Sequence, residues 1–328
     1  MNKNDSEMPV ASVRRCLILG ARGFIGTHLV EALVRAGSFV RCFDQPRGGS
    51  LSRRYSGGAS VEHFEGDFLH DSDLISALED IDVCFHLIST TLPKSSNADP
   101  VFDVESNVLG TVKLLNLAIK SGVKKVVFVS SGGTVYGVPQ AVPIAETHPT
   151  DPVCSYGVSK LAIEKYLAFF NKQHGLDYSV LRLANPFGEG QRTESSQGII
   201  AVFLGKILRG EPVEVWGDGS VVRDYIYIDD VVDALLLSSE LGQGEHVFNI
   251  GSGRGRSVNE VLDSLERATG LIADRRYLPP RSFDVPVSVL RIDRAFASLG
   301  WAPTVDFDEG LQRFSSWMKQ QFKERLRA

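Results

Sequence analysis

Tyr156 and Lys160 stand four residues apart in Tyr156-Gly157-Val158-Ser159-Lys160, a spacing that puts a phenol and an ammonium on one face of a helix. A phenol titrates near pH 10, so it becomes a base near neutrality only where a cation and hydrogen bonds favour its anion. Lys160 is placed to supply that cation, and its ammonium can also reach a ribose hydroxyl. An ordinary amphipathic helix yields the same spacing, so the pair takes its meaning from its surroundings. The first of these is Gly20-Ala21-Arg22-Gly23-Phe24-Ile25-Gly26, which follows the apolar run Arg15 to Leu19 and opens a helical pattern. Glycines at such a turn let the backbone approach a pyrophosphate, whose charge is met by free N–H groups and the positive end of the helix. Gly20, Gly23, Phe24, Ile25 and Gly26 are therefore candidate cofactor residues. Asp44 ends the second strand-like run, where a carboxylate accepts ribose hydroxyls and repels a 2′-phosphate, favouring NAD over NADP; Arg47 nearby tempers that preference. Asp67, in Gly66-Asp67-Phe68, closes the third run and is either a second cofactor contact, with Phe68 beside it, or a turn or helix-cap residue.

The elements that must hold these groups are short β-branched runs alternating with longer segments of 3.6-residue period, the order of a parallel sheet covered by helices. Strands are predicted at Arg15 to Leu19, Phe39 to Phe43, Val61 to Glu65, Val83 to Leu87, Val126 to Ser130 and Tyr178 to Arg182. Helices are predicted at Ile25 to Arg35, Leu74 to Leu78, Val104 to Lys120 and Tyr156 to Gln173, three of them stopped by Gly37, Gly122 and Gly175. Beyond Asn185 the pattern loosens, with a helix expected at Ile199 to Leu208 and a strand at Val213 to Val215. A strand at Asp224 to Ile228 and a helix at Asp230 to Leu237 are expected to rejoin the first sheet, and further helices at Val258 to Thr269 and Asp308 to Phe322. The fold class is thus α/β, a Rossmann-like doubly wound parallel sheet with a smaller α/β substrate domain. The first domain takes residues 1–185 plus about 224–250, and the second 186–223 plus about 251–328.

Composition excludes several alternatives. The 328 residues carry 35 Lys and Arg against 40 Asp and Glu, a net charge of −5 that disfavours a phosphate-backbone binder, so no nucleic-acid partner is expected. No apolar run approaches the roughly 18 residues that cross a bilayer, and Met1 to Pro9 lacks the features of a signal peptide, so no membrane partner and a cytoplasmic location are expected. Cys16, Cys42, Cys84 and Cys154 show no C-x-x-C pairing and read as reduced, buried thiols, and the seven histidines show no metal spacing, so no metal is expected.

The motifs together resemble the extended short-chain dehydrogenase/reductase family, and within it the nucleotide-sugar epimerases of the UDP-glucose/UDP-N-acetylglucosamine 4-epimerase type. The resemblance runs through Gly20 to Gly26, His86-Leu87-Ile88-Ser89, Asn107 to Thr111, Ser130-Ser131 to Val135-Tyr136-Gly137, Tyr156 to Lys160 and Arg182 to Gly188. It continues in Arg223-Asp224-Tyr225-Ile226, Phe248 to Gly253 and Leu299-Gly300-Trp301. It implies NAD as cofactor, Leu87, Ile88 and Ser89 along the nicotinamide side, and Asn107 as a buried brace. It also implies a sugar diphosphate held by Asn185, Arg223 and Arg281, a nucleoside ribose read by Asp284, and a uracil against Trp216. The Arg residues could equally form surface ion pairs, and Trp216 could pack in the core.

Two departures from the family pattern matter. Gly132 stands where a Ser or Thr hydroxyl is usual, so the hydroxyl that bonds the reacting oxygen must come from Ser131, Thr134 or water. Gly133 and Thr134 stand where 4,6-dehydratases carry an Asp-Glu pair, which leaves water elimination without its acid and base. In the family that the chain resembles, a bulky residue near Ser288 would exclude an N-acetyl group, so the small serine here implies room for one. The resemblance further implies a homodimer through a four-helix bundle built from Val104 to Lys120 and Tyr156 to Gln173. The expected reaction is NAD-dependent 4-epimerisation of a UDP-hexose through a 4-keto intermediate. Alternatives are net oxidation or reduction of a nucleotide-linked sugar, and a catalytically idle NAD-binding regulator.

Overall fold

Arg15-Cys16-Leu17-Ile18-Leu19 is apolar at every position after the first, which suits a strand covered on both faces, as strands of parallel sheets are. In a computed structural model, which describes residues 14–46, 60–194, 198–242, 246–280 and 285–327, that run is strand β1. The chain continues through α1 (Phe24–Arg35), β2 (Phe39–Asp44), β3 (Val61–Glu65), α2 (Asp71–Leu78), β4 (Val83–His86), α3 (Pro93–Ala98) and α4 (Pro100–Asp103). A π-helical turn (Val104–Leu109) then leads into α5 (Gly110–Lys120), β5 (Lys125–Ser131), α6 (Ser155–His174) and β6 (Asp177–Leu183). There follow β7 (Asn185–Phe187), α7 (Ile199–Arg209), β8 (Val213–Trp216), β9 (Val222–Tyr227), α8 (Ile228–Glu240), β10 (Val247–Ile250) and β11 (Gly255–Ser257). The chain closes with α9 (Val258–Thr269), β12 (Arg275–Leu278), β13 (Val287–Ser288), α10 (Asp293–Leu299) and α11 (Phe307–Arg327).

Seven strands form the main sheet in the order β10-β6-β5-β4-β1-β2-β3, every neighbouring pair parallel. Alternation of side chains splits the core in two. Cys16 and Ile18 face a cluster that includes Leu29, Val30 and Leu33 of α1 and Val231 and Leu235 of α8. Leu17 and Leu19 face the other, with Leu74 and Leu78 of α2, Leu114 and Leu115 of α5, and Ile163 and Leu167 of α6. The strand order reverses between β1 and β4, so a crevice opens at their carboxyl ends, where ligands of doubly wound sheets bind.

The expectation that Asp224 to Ile228 rejoins this sheet is corrected. β9 pairs instead with β7, β11 and β13 in a four-stranded sheet, and β10 supplies the edge strand of the main sheet. The reason lies in Asp224, whose buried carboxylate accepts the N–H groups of Ser252, Gly253 and Leu290 and the Ser252 hydroxyl. A wholly apolar sheet interior has no such donors to satisfy a buried carboxylate. The helix that follows, α8, does return to the main sheet, packing on α1, β5 and β6. Trp301, buried, closes that packing by donating its indole N–H to the Asp230 carbonyl at 2.9 Å. β8 and β12 form a separate parallel pair.

Candidate active site

The glycine turn is built so that main chain alone faces the crevice. Gly20 follows β1 with φ +92°, a left-handed conformation that favours glycine, and donates its N–H to the Phe43 carbonyl at 2.9 Å. A Cβ on Gly26 would lie 2.2 Å from the Gly20 carbonyl oxygen, so α1 can start this close to β1 only without a side chain there. Gly23 precedes α1 and brings no side-chain cap, which leaves the first turn of a twelve-residue helix, begun by Phe24 and Ile25, open to an anion. Asp44, at the tip of β2, accepts the Arg22 N–H at 2.9 Å, while the Arg22 guanidinium reaches Glu65 at 2.6 Å and the Gln45 carbonyl. Across the crevice, Ile88 lies within 3.5 Å of where a Gly20 Cβ would stand. A cradle of free helix N–H groups with a carboxylate at the ribose end fits NAD. Arg47 lies outside the described residues.

Asp67 accepts the Leu69 N–H at 2.9 Å, an Asx turn leading towards α2, so it has a turn role whatever else it binds. The Phe68 ring is 3% exposed, with its centroid 5.2 Å from that of His86, and only its main chain can face a cofactor. Leu87, Ile88 and Ser89 follow β4 at the crevice, half-buried, with the Leu87 N–H bonded to the Leu19 carbonyl. Asn107, buried in the π-helical turn, holds that segment through the Thr90 N–H, which donates to its Oδ1 at 3.0 Å.

At the reacting end, Tyr156 and Lys160 occupy the first turns of α6. The Lys160 Nζ donates to the Val129 carbonyl at 3.0 Å and lies 4.7 Å from the Phe128 ring centre and 5.5 Å from that of Tyr156. Burial pushes the phenol up to about 12, against a downward pull from its hydrogen bond with Ser89. Burial also lowers the Lys160 ammonium to about 8, with Asp103 and Glu164 opposing. The protein alone therefore does not produce the lowered phenol that the spacing predicts. Desolvation outweighs a cation engaged elsewhere.

α6 comes close to the turn after β5 because of another glycine: a Cβ on Gly157 would lie 2.8 Å from the Thr134 carbonyl oxygen. The Thr134 Oγ1 is buried here without a hydrogen-bond partner, and Ser131 ends β5 half-exposed. The slot above Gly132 is filled by Leu290, whose Cδ1 would stand 2.6 Å from a Cβ at that position. Gly132 thus reflects a leucine from the distant β13 end of the chain. Beneath these residues Glu164 of α6 takes both the Nε and Nη2 of Arg182 (β6) and the Ser130 hydroxyl, and the Arg182 Nη1 reaches the Tyr136 hydroxyl. Tyr136 in turn donates to Asn249 of β10 at 2.7 Å. The motif residues Arg182, Tyr136 and Asn249, quoted above without roles, form the floor that joins β5, α6, β6 and β10.

A cavity of about 410 Å³ beyond this floor gathers Asn185, Trp216 and Arg223, with Phe187, Phe203 and Tyr225 around them. Asn185 is fixed by donating to the Asp224 carbonyl at 2.8 Å, and Arg223 donates to the Val285 carbonyl at 2.6 Å. Trp216 is 43% exposed, so it does not pack in the core. The Tyr225 hydroxyl, buried and without a partner, is a polar group that sequence reasoning missed, although Tyr225 stands in the motif Arg223-Asp224-Tyr225-Ile226. Ser288 does not line this cavity. It is 8% exposed, paired in register with Arg223 across β9 and β13. Arg281 and Asp284 lie outside the described residues.

The model of the NAD dependent epimerase/dehydratase family matches residues 16–251. The UDP-glucose 4-epimerase of Mycolicibacterium smegmatis is 37% identical over 303 residues, covering 91% of this chain and 96% of the relative. The crystal structure of UDP-glucose 4-epimerase from Thermotoga maritima with UDP-glucose superposes with a TM-score of 0.88 at 37% identity, covering 94% of this chain and 99% of that one. A UDP-N-acetylglucosamine 4-epimerase from Methanobrevibacter ruminantium in complex with UDP-N-acetylmuramic acid gives 0.88 at 29% identity, with the same coverage. On the glycine cradle, the tyrosine and lysine of α6 and these likenesses together, the chain belongs to the NAD dependent epimerase/dehydratase family.

Proposed function

We propose that the chain interconverts the C4 epimers of UDP-hexoses, UDP-glucose and UDP-galactose and also their N-acetyl counterparts, through a 4-keto sugar with NAD retained. The observation that carries this reading is the presence of three parts in one fold: the main-chain cradle at Gly20 to Gly26, Tyr156 with Lys160 on α6, and the cavity of Asn185, Trp216 and Arg223. NAD, when bound, supplies the acceptor and then the donor for the hydrogen at sugar C4. The Tyr156 phenolate, favoured by Lys160 together with the positive nicotinamide charge of bound NAD, takes the proton of the 4-hydroxyl as that carbon is oxidised and returns it when the carbon is reduced from the other face. Lys160 keeps positive charge within 5.5 Å of the phenol ring centre. Arg223 suits the diphosphate, because a guanidinium meets phosphate oxygens bidentately, and that grip lets the sugar ring turn over while it stays bound. The unpartnered Thr134 Oγ1 is the better candidate than Ser131 for the hydroxyl on the reacting oxygen.

Mixing the purified protein with UDP-glucose and no added cofactor is expected to give UDP-galactose by NMR, without a stoichiometric change at 340 nm. NAD-loaded protein that forms no C4 epimer overturns the proposal, and a stoichiometric absorbance change replaces it with a net oxidoreductase.

The same reading assigns residues 1–185 and about 224–250 to NAD and 186–223 with about 251–328 to the nucleotide sugar, the sheet membership of β9 being the exception. It includes a homodimer, supported by Leu109, Val158, Tyr166 and Phe169, apolar residues that are each at least 40% exposed at and beside α5 and α6. Light scattering is expected to give twice the chain mass, and a monomer mass rejects the pairing. Cytoplasmic residence accords with four unpaired cysteines and a nucleotide-sugar substrate.

A further inference from the structure

Asp103 ends α4 with no exposed surface, and four side-chain donors from three stretches of chain converge on its carboxylate. Ser155 and Ser159 of α6 donate to Oδ2 at 2.8 and 2.6 Å. The Asn107 Nδ2 donates to Oδ1 at 3.1 Å, and the Thr91 hydroxyl, from the segment after β4, donates to the same oxygen. Neighbouring residues secure the same helix from outside. The Ser155 N–H donates to the Asn97 Oδ1 at 2.9 Å and the Tyr156 N–H to the Ser96 Oγ at 3.0 Å, whereas the N-cap residue Cys154 contributes no side-chain cap. The other buried carboxylates do different work, Asp224 of the four-stranded sheet holding the Ser252–Gly253 turn and Leu290. Glu164 is neutralised by Arg182, and Asp230 ties down Thr304 and Val305. Asp103 ties the helix start that carries Tyr156 to Thr91 and Asn107 beside the facing wall, and among the described residues no salt bridge neutralises it.

We propose that Asp103 is a positioning residue that sets the Tyr156 phenol against the Leu87–Ser89 wall, through α6 on one carboxylate oxygen and through Thr91 and Asn107 on the other. This rests on the proposed function for its catalytic consequence, but not for its structural one. The charge has a second effect. The charged or titratable groups facing Lys160 are Tyr156 and Glu164 on its own helix, His86 from β4, and Asp103. Glu164 is paired and burial keeps His86 neutral, so Asp103 is the unpaired negative charge that favours the ammonium. An amide at this position could still accept from Thr91 and Asn107 and donate to a serine oxygen, so Asp103→Asn removes charge while keeping most of the contacts.

The test measures steady-state kinetics on UDP-glucose, the pH profile of kcat, and amide hydrogen exchange by mass spectrometry. Asp103→Ala is expected to lower kcat by about 100-fold with KM within about threefold, the signature of misplaced reacting groups and not of lost binding. Its amides in 88–91 and 155–160 are expected to exchange at least about tenfold faster, with 24–35 unchanged. Asp103→Asn is expected to keep slow exchange while the alkaline limb of kcat moves to lower pH by about half a unit or more. Ser159→Ala, which removes one donor, stands in if Asp103→Ala does not fold; it is expected to speed exchange in 155–160 and lower kcat about fivefold. Native exchange in both segments of Asp103→Ala, or native exchange in Ser159→Ala, overturns the proposal, as does a change confined to KM. An Asp103→Asn pH limb that stays in place removes the electrostatic part. If the unaltered protein epimerises no UDP-sugar, the function fails while the exchange comparison still decides the positioning.

Discussion

At the crevice between β1 and β4 the protein offers main chain: a left-handed Gly20, a helix start without a cap, and a Gly26 that admits no side chain. At the sugar side it offers side chains, Asn185, Trp216, Arg223 and Tyr225, carried on three short strands of two different small sheets. The first arrangement tolerates almost no change of residue type, because its geometry is the backbone's own. The second can exchange one side chain for another and still close around a diphosphate. A common cofactor and variable sugars call for that division of labour, with the α6 phenol between the two.

The largest expected effect separates chemistry from both kinds of binding. Tyr156→Phe keeps the ring and removes the proton carrier, so kcat should fall by about 1000-fold while bound NAD and UDP affinity stay unchanged, as read by NMR turnover, cofactor release and calorimetry. Loss of NAD in that variant would merge the chemical and cofactor regions and break the comparison. Next comes Gly26→Ala. Its methyl would enter the Gly20 carbonyl at 2.2 Å, so the NAD retained per chain should drop about tenfold or more while UDP affinity is kept. Equal losses of both ligands would show the two regions to be one.

The smallest effect concerns Lys160. Its folded value of about 8 lies below the ordinary lysine value, so between the two the unfolded chain binds more protons and stability rises with pH. Lys160→Met should remove that rise and melt higher at pH 7 by about 2–4 °C while losing turnover, measured by calorimetry at pH 7 and pH 9.5. Parallel melting curves for the two proteins would mean that the buried ammonium costs the fold nothing.

What could be read in advance follows the same division. β1, β3 and α9 fall on their predicted bounds, because long apolar periodicities and capping residues are local properties of the chain. The Gly20 to Gly26 turn was legible because its physics is local as well. Val104 to Lys120 reads as one helix, yet the structure divides it into a π-helical turn and α5; the polar spacing Asp103, Asn107 and Thr111 suits an unbroken α-helix and gave no sign of the break. β7, β11 and β13 hold two or three residues each and are too short to show any period. Gly132 looked like a lost hydroxyl; only the fold reveals Leu290 above it, more than 150 positions along the chain.

Tyr227 ends a strand of the four-stranded sheet and Ile228 begins a helix that packs beneath the seven-stranded one, with no residue between them. The chain later returns again, since β10 completes the larger sheet before β11 joins the smaller. No single cut frees either body, and a recombination that imported a new sugar pocket would have to replace two separated stretches while sparing α8 and β10. Evolution of substrate preference on this scaffold is thereby channelled into individual side-chain exchanges around the cavity, with wholesale module shuffling closed off by the path of the chain.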